Sequence, residues 1–246
     1  MNWEISKRPL ILAHRGFTKN HLENTLEAVD EAIRLHADGV EVDLRLTADE
    51  ELVVYHDADL LRLAEMPQQI EKMPLSEIRG VRLKGRYKIP TLSELLDLVG
   101  DKILLNLEIK TVRLLSKTVE LKLLDELQRF QLHESILISS FHPLPLIRLK
   151  KIAPTLKRGY LVCEKYFQTR YRPLISSFIK PFSLNPSTPM ITEEFVKKAH
   201  QKGQKIFSWN VNDLHAMMEF VRWGVDGIFT DKPDLLLTHG SQRDSS

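Results

Sequence analysis

The segment LILAHRGF, Leu10 to Phe17, runs four apolar residues into a histidine, an arginine and a glycine. Two basic side chains at the end of an apolar strand mark either a strand reaching solvent or the edge of a reaction site. VEVDLRLT, 40–47, alternates strictly. Successive strand side chains take opposite faces, so Val40, Val42, Leu44 and Leu46 share one face and Glu41, Asp43 and Arg45 the other. Two carboxylates so close repel each other unless a cation lies between them. Hard divalent cations such as Mg²⁺ and Ca²⁺ prefer carboxylate oxygens. LLNLEIK, 104–110, repeats the pattern, with Leu105, Leu107 and Ile109 set against Asn106, Glu108 and Lys110.

Each segment alone has a bland reading: an amphipathic strand with a solvated face, or a histidine satisfied in the core. TADEEL and VVYHD weaken it, because they read as a turn and a returning strand. A turn centred on Asp49–Glu50 pairs residues whose numbers sum to 99 and sets His56 opposite Asp43; a bulge shifts this by one. Together the segments supply three carboxylates for a metal, two histidines for proton transfer and two cations for an anion. That set suits phosphodiester cleavage. Metal and cations neutralise phosphoryl charge; one histidine deprotonates the nucleophile and the other protonates the leaving oxygen.

The elements that must position these residues alternate along the chain. Candidate strands are Leu10–His14, Val40–Leu46, Ile103–Ile109, Ile136–Phe141, Arg158–Val162, Phe182–Asn185, Ile206–Val211 and Gly227–Thr230. Helical patterns follow each, the weakest being YFQTRYRPLISSFIK with Pro173. Asn24 reads as the N-cap of the first helix, with Glu27 completing a capping box. Eight βα units predict an α/β fold, a (β/α)₈ TIM barrel with a short hairpin and insertion after the second strand. A doubly wound open sheet is the alternative. At the C-terminal rim of such a barrel the inward face is where active sites lie.

The chain has 246 residues, which one barrel domain over 1–246 accounts for, with residues 57–90 as the insertion and 239–246 as a frayed tail. Lys plus Arg is 35 against 33 for Asp plus Glu, a net charge of +2, so no nucleic-acid footprint is expected. The basic cluster RGVRLKGRYK reads as a solvated face. A single cysteine, Cys163, excludes an internal disulfide and a cysteine-based zinc site. The first residues lack a signal-peptide pattern. No run reaches the roughly 18 apolar residues that a membrane span needs. No stable membrane insertion and a cytoplasmic location are therefore expected.

Ten motifs occur in one order: AHRG at 13–16, LENTLEA at 22–28, GVEVDLRLT at 39–47, VVYHD at 53–57, IPTLSELLDL at 89–98, LNLEIK at 105–110, ISSF at 138–141, LNP at 184–186, WNVND at 209–213 and GVDGIFTDKP at 224–233. Through them the chain resembles the glycerophosphodiester phosphodiesterase family over nearly its whole length. The resemblance implies a (β/α)₈ barrel and one divalent cation, Mg²⁺ or Ca²⁺, on Glu41, Asp43 and Glu108. It implies His14 and His56 as the catalytic acid/base pair. Arg15 and Lys110 would bind phosphate, with Trp209 and, more weakly, Phe141 lining the substrate pocket. Small glycerophosphodiesters would be the substrates, giving sn-glycerol 3-phosphate and an alcohol. The family pattern has Pro before ENT; here Leu22 stands there, a change confined to the helix entry. Asp213 and Asp231 also match family motifs, and Asp213 reads equally as a helix cap. Among the other histidines only His142, at a strand end, stands out, and a structural role is expected for it. Lysophospholipase D-like or phospholipase C-like action on lipids, or a non-catalytic phosphodiester-binding barrel, are the competing readings.

Overall fold

The computed structural model describes residues 2–4, 8–165 and 172–240. Nine strands form one sheet: β1 Leu10–His14, β2 Gly39–Leu46, β3 Leu52–Val54, β4 Leu104–Ile109, β5 Ile136–Ser140, β6 Lys157–Val162, β7 Ser183–Pro186, β8 Lys205–Ser208 and β9 Gly227–Thr230. Eight are parallel, and β1 pairs with both β2 and β9, which closes the sheet into a TIM barrel. The open doubly wound alternative is thereby excluded. The helices of the described residues are α1 Leu26–Arg34, α2 Leu61–Ala64, α3 Leu75–Ile78, α4 Leu92–Val99, α5 Thr118–Phe130, α6 Pro143–Ile152, α7 Arg172–Ile179, α8 Glu193–His200, α9 Leu214–Trp223 and α10 Asp234–Gly240, of which the short α2 and α3 belong to the insertion. Of the irregular segment after β6, residues 166–171 lie outside the described residues, as does the tail from 241 onward.

Strand parity builds two cores. Outward-facing Val40, Val42, Leu105, Leu107 and Ile138 pack against the helices in the main apolar cluster. Inward-facing Leu10, Leu12, Leu104, Leu137, Phe207 and Phe229 fill the lower barrel. One step further along the same inward rows the chemistry changes from apolar to charged. His14 registers with Glu41 and Asp43 with Glu108. The barrel floor is thus a packed plug, and the polar groups occupy its C-terminal end.

Two local expectations are corrected. The hairpin register sums to 98, not 99: Leu44 pairs with Val54 and Leu46 with Leu52. A three-residue loop sets this register. Thr47 N–H donates to Glu51 O at 2.9 Å, and Glu50 adopts a left-handed φ of +64°. Asp43 O therefore accepts from Tyr55 N–H, and His56 lies one residue past the ladder, where its carbonyl accepts from Arg45 Nε at 2.9 Å. The N-cap of α1 is Thr25, whose hydroxyl accepts from Ala28 N–H; Glu27 completes no box with Asn24. Asn24 itself has a φ of +58° and is buried, for a reason that lies in the site.

The turn leaving β1 depends on Gly16. Its φ is +87°, and a Cβ there would sit 2.7 Å from both the carbonyl carbon and the Cβ of Ala28. Left-handed strain and overlap add, so Gly16→Ala should destabilise by about 2 kcal/mol or more. The thermal midpoint should then fall by roughly 5 °C or more. A midpoint within a degree of the parent would show that this turn does not hold β1 against α1.

Candidate active site

Glu41, Asp43 and Glu108 converge at the mouth of the barrel. They are 4%, 0% and 7% exposed, and a carboxylate oxygen from each lies within 4.8 Å of the other two. Like charges this close do not all ionise unaided. Burial first, then the charges of Asp43 and Glu108, push the Glu41 carboxyl well above the ordinary range. Burial raises Glu108 to about 7, with Asp43 adding to the effect and Lys110 opposing it. Asp43 goes the other way: against burial, Lys110 and Arg15 hold it down to about 2.

Two cations offset part of this charge. Lys110 Nζ lies 2.6 Å from Glu108 Oε1 and 3.1 Å from Asp43 Oδ1. Burial disfavours its charge, but Glu108 and Asp43 outweigh burial and raise its pKa. Arg15, in a left-handed conformation forced by the turn, donates its backbone N–H to Glu41 Oε2 at 3.2 Å and places Nε 3.2 Å from Asp43 Oδ2. Three carboxylates and two cations leave one negative charge. Glu41 Oε1 is buried and accepts no hydrogen bond. An oxygen-only donor set with an unfilled acceptor fits a hard divalent cation, and the triad could hold one.

Buried Asn24 explains itself here. Its Nδ2 donates to Asp43 Oδ2 at 2.8 Å, and its Oδ1 accepts from Asp43 N–H at 3.1 Å. The residue expected to cap α1 instead clamps the central carboxylate through both side chain and backbone.

Each histidine has an acidic partner on one nitrogen. His14 Nδ1 lies 2.7 Å from Asp231 Oδ1, and Asp231 accepts in turn from Asn212 Nδ2 at 2.5 Å. The Asn210 amide lies 2.9 Å from the same nitrogen. His56 Nδ1 lies 2.7 Å from Asp57 Oδ1. A carboxylate only accepts, so it favours the tautomer protonated on Nδ1 and leaves Nε2 as the working atom. His14 Nε2 is 3.8 Å from Glu41 Oε2, beside the triad. Burial lowers the His56 pKa against the pull of Asp43, and Lys110 and Arg15 lower it further, which favours the neutral ring.

A cavity of about 870 Å³ opens above these groups, and His14, Arg15, Glu41, His56, Glu108 and Lys110 all line it. Trp209 and Phe141 form its aromatic wall, edge to face at 5.2 Å, with Lys110 Nζ 5.8 Å from the Phe141 ring centre. Asp43 lies just beneath. The site residues named from sequence are therefore brought together. His142 also lines the cavity, and its Nδ1 caps α6 by accepting from Leu144 N–H. Asp213 caps α9 through Ala216 N–H.

Sequence reasoning missed Asp57, Asn210, Asn212 and the contact of Asp231 with His14. Asp231 had a usable signal, since it continues the inward parity of Phe229. Asn210 and Asn212 lie after β8, where strand alternation no longer applies, and only their place in WNVND marks them.

Residues 14–235 match the model of the Glycerophosphoryl diester phosphodiesterase family. A glycerophosphodiester phosphodiesterase of Caldanaerobacter subterraneus subsp. tengcongensis is 36% identical over 238 residues, covering 94% of this chain and 97% of that one. A Bacillus altitudinis enzyme of the same name is 33% identical, covering 91% and 95%. Among solved structures, an Oleispira antarctica phosphodiesterase in complex with the product sn-glycerol-3-phosphate superposes with a TM-score of 0.86 at 25% identity, covering 96% and 97%. The Thermotoga maritima glycerophosphodiester phosphodiesterase gives 0.79 at 31% identity, covering 94% and 97%. The chain belongs to the glycerophosphoryl diester phosphodiesterase family.

Proposed function

We propose that the chain is a single catalytic domain that hydrolyses glycerophosphodiesters to sn-glycerol 3-phosphate and an alcohol, with one divalent cation, Mg²⁺ or Ca²⁺. The observation that carries this reading is the buried triad Glu41, Asp43 and Glu108 beside two carboxylate-oriented histidines. The family membership and the product complex of the Oleispira relative support the substrate class. Carboxylate oxygens alone suit a hard cation. When bound, the cation supplies Lewis-acid charge neutralisation at the phosphoryl oxygens.

The remaining work falls to the chain. Arg15 and Lys110 hold their charge inside the cavity and present it to the phosphodiester anion. His14 and His56 act at Nε2, one taking the proton of the attacking hydroxyl and the other giving a proton to the departing alkoxide. Water or the neighbouring glycerol hydroxyl can be the attacking group, and both routes need these two transfers. Asp231 and Asp57 keep the imidazoles in the competent tautomer. Phe141 and Trp209 give the bound diester an apolar wall.

A second reading, hydrolysis of lysophospholipids, draws on one feature. Leu115 is fully exposed and Leu114 65% exposed, just beyond Val112, which lines the cavity. Activity on lysolipid micelles above that on soluble diesters, and its loss in Leu115→Glu, would favour it. Among the described residues no helix is long and apolar enough to cross a membrane.

Release of glycerol 3-phosphate from glycerophosphocholine should require Mg²⁺ or Ca²⁺ and stop with EDTA. His14→Ala should lose on the order of 100-fold or more in kcat. Release that ignores EDTA, or survives in the variant, would remove the reading.

Metal affinity should also depend on pH. Burial pushes Glu108 up to about 7 and Glu41 well above the ordinary carboxylate range. A cation must displace the protons that burial holds on these two carboxyls, so affinity falls as pH falls through 7 and below it. Calorimetry in buffers of different ionisation enthalpy should register proton release on binding at pH 6 and less at pH 8. Equal affinity and no release at both would contradict the buried-triad site.

A further inference from the structure

The insertion at 57–90 has an apolar cluster of its own, in which Leu60, Leu63, Ile70 and Leu83 pack with Val53 and Tyr55. The short helix α2 is pinned into it by Leu60 and Leu63, and by Lys84 N–H donating to Leu63 O at 2.7 Å. Arg62, between them, points the other way. All three of its guanidinium nitrogens are engaged. NH1 and NH2 donate to Glu23 Oε2 and Oε1 at 2.9 and 2.6 Å, and Nε donates to Asp57 Oδ2 at 2.6 Å.

Both carboxylates have a second partner. Glu23 Oε1 also accepts from Arg15 NH1 at 2.8 Å. Asp57 Oδ1 lies 2.7 Å from His56 Nδ1. One guanidinium therefore closes a continuous chain, Arg15–Glu23–Arg62–Asp57–His56. Arg62 is not among the residues that line the cavity. Its side chain is 46% exposed, and pairs this open to solvent add little to folding. What the planar fork supplies is geometry, because it can grip one carboxylate with two nitrogens and a second with the third; an ammonium cannot.

We propose that Arg62 is a positioning residue, which sets the Arg15 guanidinium and the His56 imidazole relative to each other from outside the cavity, where the insertion holds it. The proposal rests on the phosphate and proton-transfer roles given to Arg15 and His56 above. Arg62 acts only through Glu23 and Asp57. Releasing it frees the His56 ring to leave its Nδ1-protonated tautomer and frees Arg15 to swing from the phosphate position.

The test is steady-state kinetics on glycerophosphoethanolamine with Mg²⁺. Arg62→Ala should lower kcat roughly 10–100-fold, the usual effect of removing an orienting partner, and raise KM. Its melting midpoint should stay within a few degrees of the parent. Arg62→Lys should recover only part of the loss, and Lys72→Ala, on the same insertion, should change neither constant. Asp57→Asn cuts the His56 arm and Glu23→Gln the Arg15 arm. Arg62→Ala should add little to the kcat loss of the first or the KM rise of the second. ¹⁵N-histidine NMR supplies a readout independent of turnover: the His56 signal, assigned by its loss in His56→Asn, should report Nδ1–H in the parent and a tautomer mixture in Arg62→Ala. Unchanged kcat and KM, full rescue by lysine, fully multiplying losses, or an unaltered His56 tautomer would each overturn the proposal. A parent chain without turnover would count against the hydrolase reading alone, and the NMR result would still decide Arg62.

Discussion

Three carboxylates on two adjacent strands cannot share a buried site without compensating charge, and the upper half of the barrel is arranged around that constraint. Glu41 and Asp43 are forced together by strand alternation on β2, and Glu108 is brought level with Asp43 by the parallel register of β4. Lys110 comes from the same inward row as Glu108. Arg15 comes from the turn that Gly16 permits, and Asn24 from the start of α1. Even with both cations in place, Glu41 and Glu108 remain pushed toward their protonated forms. A divalent cation would remove that penalty and turn a net negative cluster into a net positive one, as binding a phosphodiester anion demands.

The same economy of parts governs the histidines. Each sits where regular structure ends, His14 at the last residue of β1 and His56 just past the hairpin ladder. Strand pairing alone would leave both rings free to turn. Asp231 and Asp57 remove that freedom, and each is itself anchored, by Asn212 and by Arg62. The barrel floor of Leu12, Leu137, Phe207 and Phe229 supplies the rigid base beneath.

Much of this was legible in the sequence because alternation and spacing carry it. The inward rows Glu41–Asp43 and Asn106–Glu108–Lys110 follow from period two alone, and eight βα units follow from the succession of apolar runs. What failed did so where the backbone leaves regular geometry. The hairpin register slipped by one because Glu50 could take a left-handed conformation that its residue type does not advertise. Asn24 looked like a cap because Ser, Thr, Asp and Asn serve equally there; only the fold reveals that Thr25 caps and Asn24 clamps Asp43. Glu23 and Arg62 are 39 residues apart and meet only because the insertion folds back against the segment between β1 and α1. No local pattern encodes that meeting.

The most direct measurement is anomalous diffraction from crystals soaked in Mn²⁺ with sn-glycerol 3-phosphate. A single strong peak should lie among Glu41, Asp43 and Glu108, within about 2.3 Å of the Glu41 oxygen that now accepts no hydrogen bond, and should vanish in Glu41→Gln. A peak elsewhere, or an occupied phosphate position with no metal in the triad, would contradict a site built to hold one divalent cation.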